Sequence, residues 1–186
     1  MSVEATGTLR KVNDEVFVSD APIVRIGGEQ ITFLKRQASS NIRRRARICA
    51  HRSNEDALHE MLIAISADSY IHPHKHTTKV ESFHIIEGIV DVVVFNDTGD
   101  IVDVIELGDI ASGRSFYYRL SDSFFHTLLI HGEVLVVHEV TNGPFRRDDT
   151  VLAPFAPSES DVTAARVYIR EVANKVFERS LSRGSK

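Results

Sequence analysis

His74-Lys-His76-Thr-Thr-Lys-Val-Glu81-Ser-Phe-His-Ile-Ile-Glu-Gly88-Ile-Val-Asp-Val-Val-Val-Phe95 joins a ligand-rich segment to two β-branched runs. Histidines at i and i+2 of an extended strand project from one face, so both imidazoles can reach a single ion. Glu81 follows closely enough to add a carboxylate oxygen, and Gly88 marks a turn before the next strand. Nitrogen ligands joined by one hard oxygen suit a first-row divalent metal.

Outward from this stretch the pattern continues. Glu81–Ile86, Val90–Phe95, Ile101–Leu107, Ser115–Leu120, His126–Ile130 and Val134–Val140 are six short β-branched or aromatic runs. Glu87-Gly88, 96–100, 108–113, Ser121-Asp122-Ser123 and His131-Gly132-Glu133 separate them with turn chemistry. Short strands at regular spacing predict an antiparallel sandwich or barrel and argue against a βαβ fold. Upstream, 12–18 alternates as an edge strand or arm, and Gln30–Leu34 reads as a further short strand after turns at Pro22 and Gly27-Gly28. His59–Ile65 is apolar and fits helix or buried strand equally, since periodicity does not separate the two. Downstream, residues 158–161 offer N-cap groups, and Val162, Ala165, Ile169, Val172 and Val176 follow a three/four spacing. The spacing predicts a C-terminal amphipathic helix over roughly 158–180 that packs its narrow stripe on the sheet or on a second subunit.

The expected organisation is a strand extension at 1–35, a β domain at 36–157 and a helix with tail at 158–186. A chain of 186 residues with 42% hydrophobic and 26% charged residues is ordinary for a soluble globular domain. A net charge of −4 gives no general attraction to nucleic acid or anionic membrane. The single cysteine, Cys49, excludes an internal disulfide. The N-terminus lacks a signal-peptide pattern and no apolar run reaches a membrane span, so a cytoplasmic location is expected.

His74, His76 and Glu81 need a further partner, and the second histidine-rich region, His126 to His138, is the source. His126 is the best candidate because it begins a strand directly after the polar turn 121–123. Three imidazoles and a carboxylate hold one divalent ion per subunit and leave positions for water or substrate; zinc, iron(II), manganese and nickel all tolerate such a set.

His74-x-His76-x4-Glu81-x6-Gly88 resembles the first motif of the cupin superfamily, and Gly108-Asp109 with Leu120 to His126 resembles the second. Asp68 stands at the first motif's leading glycine, and Ser121 and Ser123 replace the usual proline and glycine of the second. Ile130 takes the place of an asparagine often found after its histidine. Arg43–Arg47 with His51, Glu60–Ile65, Pro73–His76, Glu81–Gly88, His138–Phe145 and Ala153–Pro157 are similar to the WbuC-type cupin metalloproteins. That group is associated with bacterial O-antigen gene clusters, and the likeness spans roughly residues 36–158. It implies an all-β cupin or jelly-roll antiparallel barrel, a bound metal and a homodimer built through the extra strands or helix.

Other polar residues have competing readings. Alternation turns His84 away from Glu81, Phe83 and Ile85, towards a surface or subunit contact. Pro73 places His72 at a rim, and His138, beside Val136 and Val140, reads as a satisfied core histidine. Arg43–Arg47, with Arg44 and Arg45 foremost, could clamp a phosphate or simply be solvated or a subunit contact. Tyr117, Tyr118 and Arg119 could line a cavity mouth or be strand packing. The expected function is a metal-dependent enzyme acting on a small polar molecule, such as a sugar or sugar-nucleotide, by isomerase, epimerase, lyase or oxygenase chemistry. The alternatives are a carbohydrate- or anion-binding module and a purely structural metal.

Overall fold

A computed structural model describes residues 9–183; the first eight residues of the expected extension and the last three of the tail lie outside the described residues. In chain order the elements are β1 (Leu9–Lys11), β2 (Val16–Ser19), α1 (Gly28–Ser40), β3 (Arg45–Cys49), β4 (Leu58–Ser66), β5 (His74–His76) and β6 (Glu81–Phe95). They continue with β7 (Ile101–Gly108), β8 (Tyr117–Leu120), β9 (Phe125–Asn142), β10 (Thr150–Leu152) and α2 (Val162–Arg183).

The two longest strands organise the rest. β6 and β9 pair antiparallel from Glu81 opposite Thr141 to Phe95 opposite Phe125. The pairing is irregular between Ile85 and Ile89, where Gly88 has φ 95°, with Gly132 at φ 92° on the partner strand. The expected turns at Glu87-Gly88 and His131-Gly132-Glu133 are therefore bends inside continuous strands. A Cβ on Gly88 would lie 2.7 Å from the Val134 carbonyl oxygen, so the strands cross too closely there for a side chain.

On one side of the bend β4 borders β9 and β8 borders β6; on the other, β5 borders β9 and β7 borders β6. β3, β2 and β1 extend the first region and β10 extends the second. Among these ladders only β2–β3 is parallel. No ladder among the described residues joins the outer edges, so the ten-stranded sheet is not closed.

Both regions turn an apolar face to the same core. Phe83, Ile85, Leu135 and Val137 from one pack with Val90, Val92, Leu107 and Leu128 from the other. Each such side chain contributes about 1.5–3 kcal/mol on burial. α1 covers the outer face of the first region through Ile31, Leu34 and Ala38, against Ala46, Ile48, Ala64 and Val136. α2 covers the second through Val172, Ile169 and Val176, against Val93, Phe95 and Phe125. None of the helices described is long and apolar enough to cross a membrane.

Two expectations about elements change and one is resolved. Gln30–Leu34 is helix, not strand: the Gln30 side chain accepts a hydrogen bond from the Gly27 N–H, closing the first turn, and apolar residues then recur at helical spacing. His59–Ile65, left open between helix and strand, is strand. α2 starts at Val162 because Asp161 Oδ1 accepts from the Ala164 N–H as N-cap; Val162, 56% exposed, lies outside the packed stripe.

Candidate metal centre

β5 lies beside the first half of β9, with His74 directly opposite His126. Parity then puts His76 on the same face as His74. Glu81 enters from the start of β6, and the ligand atoms of His74, His76, Glu81 and His126 all lie within 4.8 Å of one another. Strand pairing thus brings together the four residues expected from the sequence, and the cluster could hold one metal ion.

Each imidazole is held through Nδ1. His74 Nδ1 donates to the His72 carbonyl at 2.9 Å and His126 Nδ1 to the Phe124 carbonyl at 3.0 Å. His76 Nδ1 lies 3.3 Å from the Thr150 hydroxyl. A carbonyl can only accept, so His74 and His126 carry their proton on Nδ1 and keep the Nε2 lone pair free. His76 Nε2 is 3.3 Å from Glu81 Oε2, and His126 Nε2 is 3.5 Å from Oε1. Nε2 of His126, a residue only 2% exposed, has no hydrogen-bond partner among the described residues. A buried nitrogen without a partner costs free energy that a metal bond would offset. Behind the carboxylate, the Tyr118 hydroxyl donates 2.7 Å to Glu81 Oε1. The donor set fits a first-row divalent ion.

The electrostatics follow from burial. Desolvation, with His126 alongside, pulls the His74 pKa down to about 4. Burial alone would raise Glu81, but the neighbouring imidazoles, His126 foremost, outweigh it and hold the carboxyl well below its usual range. Burial likewise opposes charge on His126, yet Glu81 raises its pKa. Tyr118 is pushed well above the usual phenol range by burial and then by Glu81, so it stays a donor.

A cavity of about 680 Å³ opens above the cluster, a size suited to a small molecule. Of the other expected residues, Arg45 lines it but is tied to Glu159 at 2.8 Å. Arg44, at φ 59°, binds Asp68 at 3.0 Å and donates to the Ser39 carbonyl, away from the cavity. Tyr118 sits behind Glu81, not at a mouth, and Arg119 is exposed beside Ser121. His72 is buried and donates to the Ala153 carbonyl, which corrects the rim position; β5 starts only after Pro73, and the loop folds inward. His138 is half-buried, opposite His84 in the ladder and 3.8 Å from Glu60, because its parity is the outer face of β9. His84 lies on that same outer face, against Phe116, as its alternation implied.

Arg47, part of the run read as a possible phosphate clamp, also lines the cavity, and two further cavity residues escaped the sequence reading: Lys79 and Glu139. Glu139 follows Leu135 and Val137 at strand period, and a carboxylate on the apolar side of a strand was the available signal. Burial, then the charge of Glu81, pushes its pKa up to about 8, against the opposing influence of Arg47, His126 and Lys79.

The sequence matches the model of a domain of unknown function, DUF6016, over residues 26–107. No curated protein matches it. Among solved structures it is similar to protein SO0799 from Shewanella oneidensis, at 14% identity and TM-score 0.47, over 56% of this chain and 70% of that one. It is also similar to the cupin domain of Schizosaccharomyces pombe Cnp3, at 12% identity and TM-score 0.41, over 53% of this chain and 64% of that one. Oxalate decarboxylase from Bacillus subtilis, a protein with Mn(II) centres, matches at 16% identity and TM-score 0.42 over 52% of this chain. That likeness spans about a quarter of the decarboxylase, 24% of its length.

Proposed function

We propose that this protein is a metal-binding cupin of jelly-roll type, and an enzyme that acts on a small polar molecule such as a sugar or sugar-nucleotide. One divalent ion would be held by His74, His76, Glu81 and His126. The observation that carries the reading is the convergence of three imidazole Nε2 atoms and one buried carboxylate at the base of a cavity, with the Nδ1 atoms already engaged. Such an ion, when bound, supplies a Lewis acid or lowers the pKa of its water.

The chain's own residues do the rest. The His72 and Phe124 carbonyls fix tautomer and ring direction, and Tyr118 keeps Glu81 from turning. Glu139, on the cavity wall, has its pKa raised first by burial and is placed to exchange a proton with a bound molecule. The likeness of the flanking strings to the WbuC-type group favours sugar-nucleotides of surface-polysaccharide assembly as first substrates to try, and a homodimer as the working state.

Elemental analysis of protein purified without oxygen should find about one transition metal per chain, lost in both His76→Ala and His126→Ala. Stoichiometric metal in both variants would overturn the assignment. A sugar-nucleotide turnover screen then separates enzyme from binding module, since saturable thermal stabilisation without turnover would favour the latter.

A further inference from the structure

Strand parity sorts the basic residues of β3. Ala46 and Ile48 pack under α1, whereas Arg45, Arg47 and Cys49 face the cavity. The cations there are not equivalent. Arg43 is neutralised by Glu15 and Glu159, both at 3.0 Å, and Arg45 by Glu159. Among the described residues, the Arg47 guanidinium has no hydrogen bond or ion pair.

Lys79 is more unusual. It is 9% exposed, and its ammonium makes no ion pair among the described residues; its contact is the ring of Phe145, 4.9 Å from the centroid. Lysines are almost never so buried unless paired. Glu139 also lines the cavity and makes no ion pair with either cation among the described residues. In a chain with net charge −4, the cavity therefore holds two cations that lack an ion pair among the described residues.

Arg47 stands apart from the metal ligands, whereas Lys79 lies only two residues before Glu81. β3 is three strand spacings from β6, roughly 14 Å at the backbone, with β4 and β9 between. A molecule reaching both ends must be several bonds long.

We infer that the cavity takes a small molecule bearing a carboxylate or phosphate, whose oxyanion is held by Arg47 and Lys79 while its other polar groups reach the His74, His76, Glu81 and His126 centre. This inference rests on the metal-site reading only for the far end of the ligand. The oxyanion end stands on the cavity and its two cations.

The test is calorimetric titration of zinc-loaded protein at low salt with inorganic phosphate, glucose 1-phosphate, succinate and glucose, with metal content measured on every sample. Glucose 1-phosphate or succinate should bind saturably, weaken with added salt and outcompete glucose; which of them binds tighter identifies phosphate or carboxylate as the preferred group. Arg47→Gln and Lys79→Met should each weaken that binding about tenfold or more with metal content unchanged. Wild-type affinity in both variants, or glucose binding as tightly as glucose 1-phosphate, would overturn the inference. Arg47 projects into open cavity, so its variant keeps the fold and remains decisive if Lys79→Met does not. Anion binding that depends on Arg47 in protein holding no metal would uphold the oxyanion site and refute the metal reading instead.

Discussion

Tyr118 and Glu139 relate to Glu81 in opposite senses: one lends it a hydrogen bond, the other has its pKa raised by burial and then by the charge of Glu81. Removing the phenol hydroxyl leaves Glu81 free to turn. Tyr118→Phe should lower metal affinity roughly tenfold to a hundredfold, as outer hydrogen bonds to ligands generally do, measured by chelator competition. Unchanged affinity would mean that packing alone fixes the carboxylate. Glu139 has a separate signature in pH. Its folded pKa, about 8, lies above the ordinary 4.5, so the native state holds a proton that the unfolded chain releases. The stability this contributes is complete below about 4.5 and is lost as pH rises through about 8. Between pH 6.5 and 8, metal-free protein should lose stability by up to about 1.4 kcal/mol per pH unit from this group. His126, raised as well, adds a slope of the same sign. Urea unfolding of chelator-treated protein across that range should show a flatter slope for Glu139→Gln, with the His126 contribution remaining. Identical slopes would remove Glu139 as the proton holder.

At the scale of elements, the bends in β6 and β9 decide how the two sheet regions face each other. Gly88→Ala would combine a left-handed backbone with a 2.7 Å approach to the Val134 carbonyl oxygen. It should cost about 1–3 kcal/mol, seen as a lowered melting temperature with a normal far-ultraviolet spectrum. A melting temperature within a degree of wild type would show that the crossing can open at no cost. The strands themselves were legible because alternation over Glu81–Phe95 and 126–140 is a local property of the chain. So were the four ligand positions, since two come from an i, i+2 pair and His126 follows a recognisable turn. What was not legible depends on contacts between distant residues. A glycine before more β-branched residues reads as a turn, and only the neighbouring strand reveals a bend. α1 was hidden because Ile31 and Leu34 form one face only once Ala38 is counted with them. Within the run Arg43–Arg47, read as a possible phosphate clamp, no pattern in the chain shows that Arg47 lacks the carboxylate partners of its neighbours, or that Lys79 lacks one too.

For the whole molecule, β6 and β9 belong to both sheet regions, so neither region can unfold while the other stays intact. Metal-free and metal-loaded protein should each melt in one transition, the second at higher temperature and dependent on metal concentration. Hydrogen exchange should slow on metal loading in β4 and β8 as well as in β5 and β10, although only β5, β6 and β9 carry ligands. Protection confined to β5 and β10 would show that the regions open separately. The shared strand also restricts how such a protein can change over generations. His126 near the start of β9 and Glu139 near its end both line the cavity although one position is even and the other odd, because the irregular stretch around Gly132 shifts the alternation between them. Substitutions between them can accumulate, but inserting or deleting one residue would turn one of the two outward unless a bulge absorbed it. Length across this interval should therefore be the property that descendants keep, even where the residues within it drift.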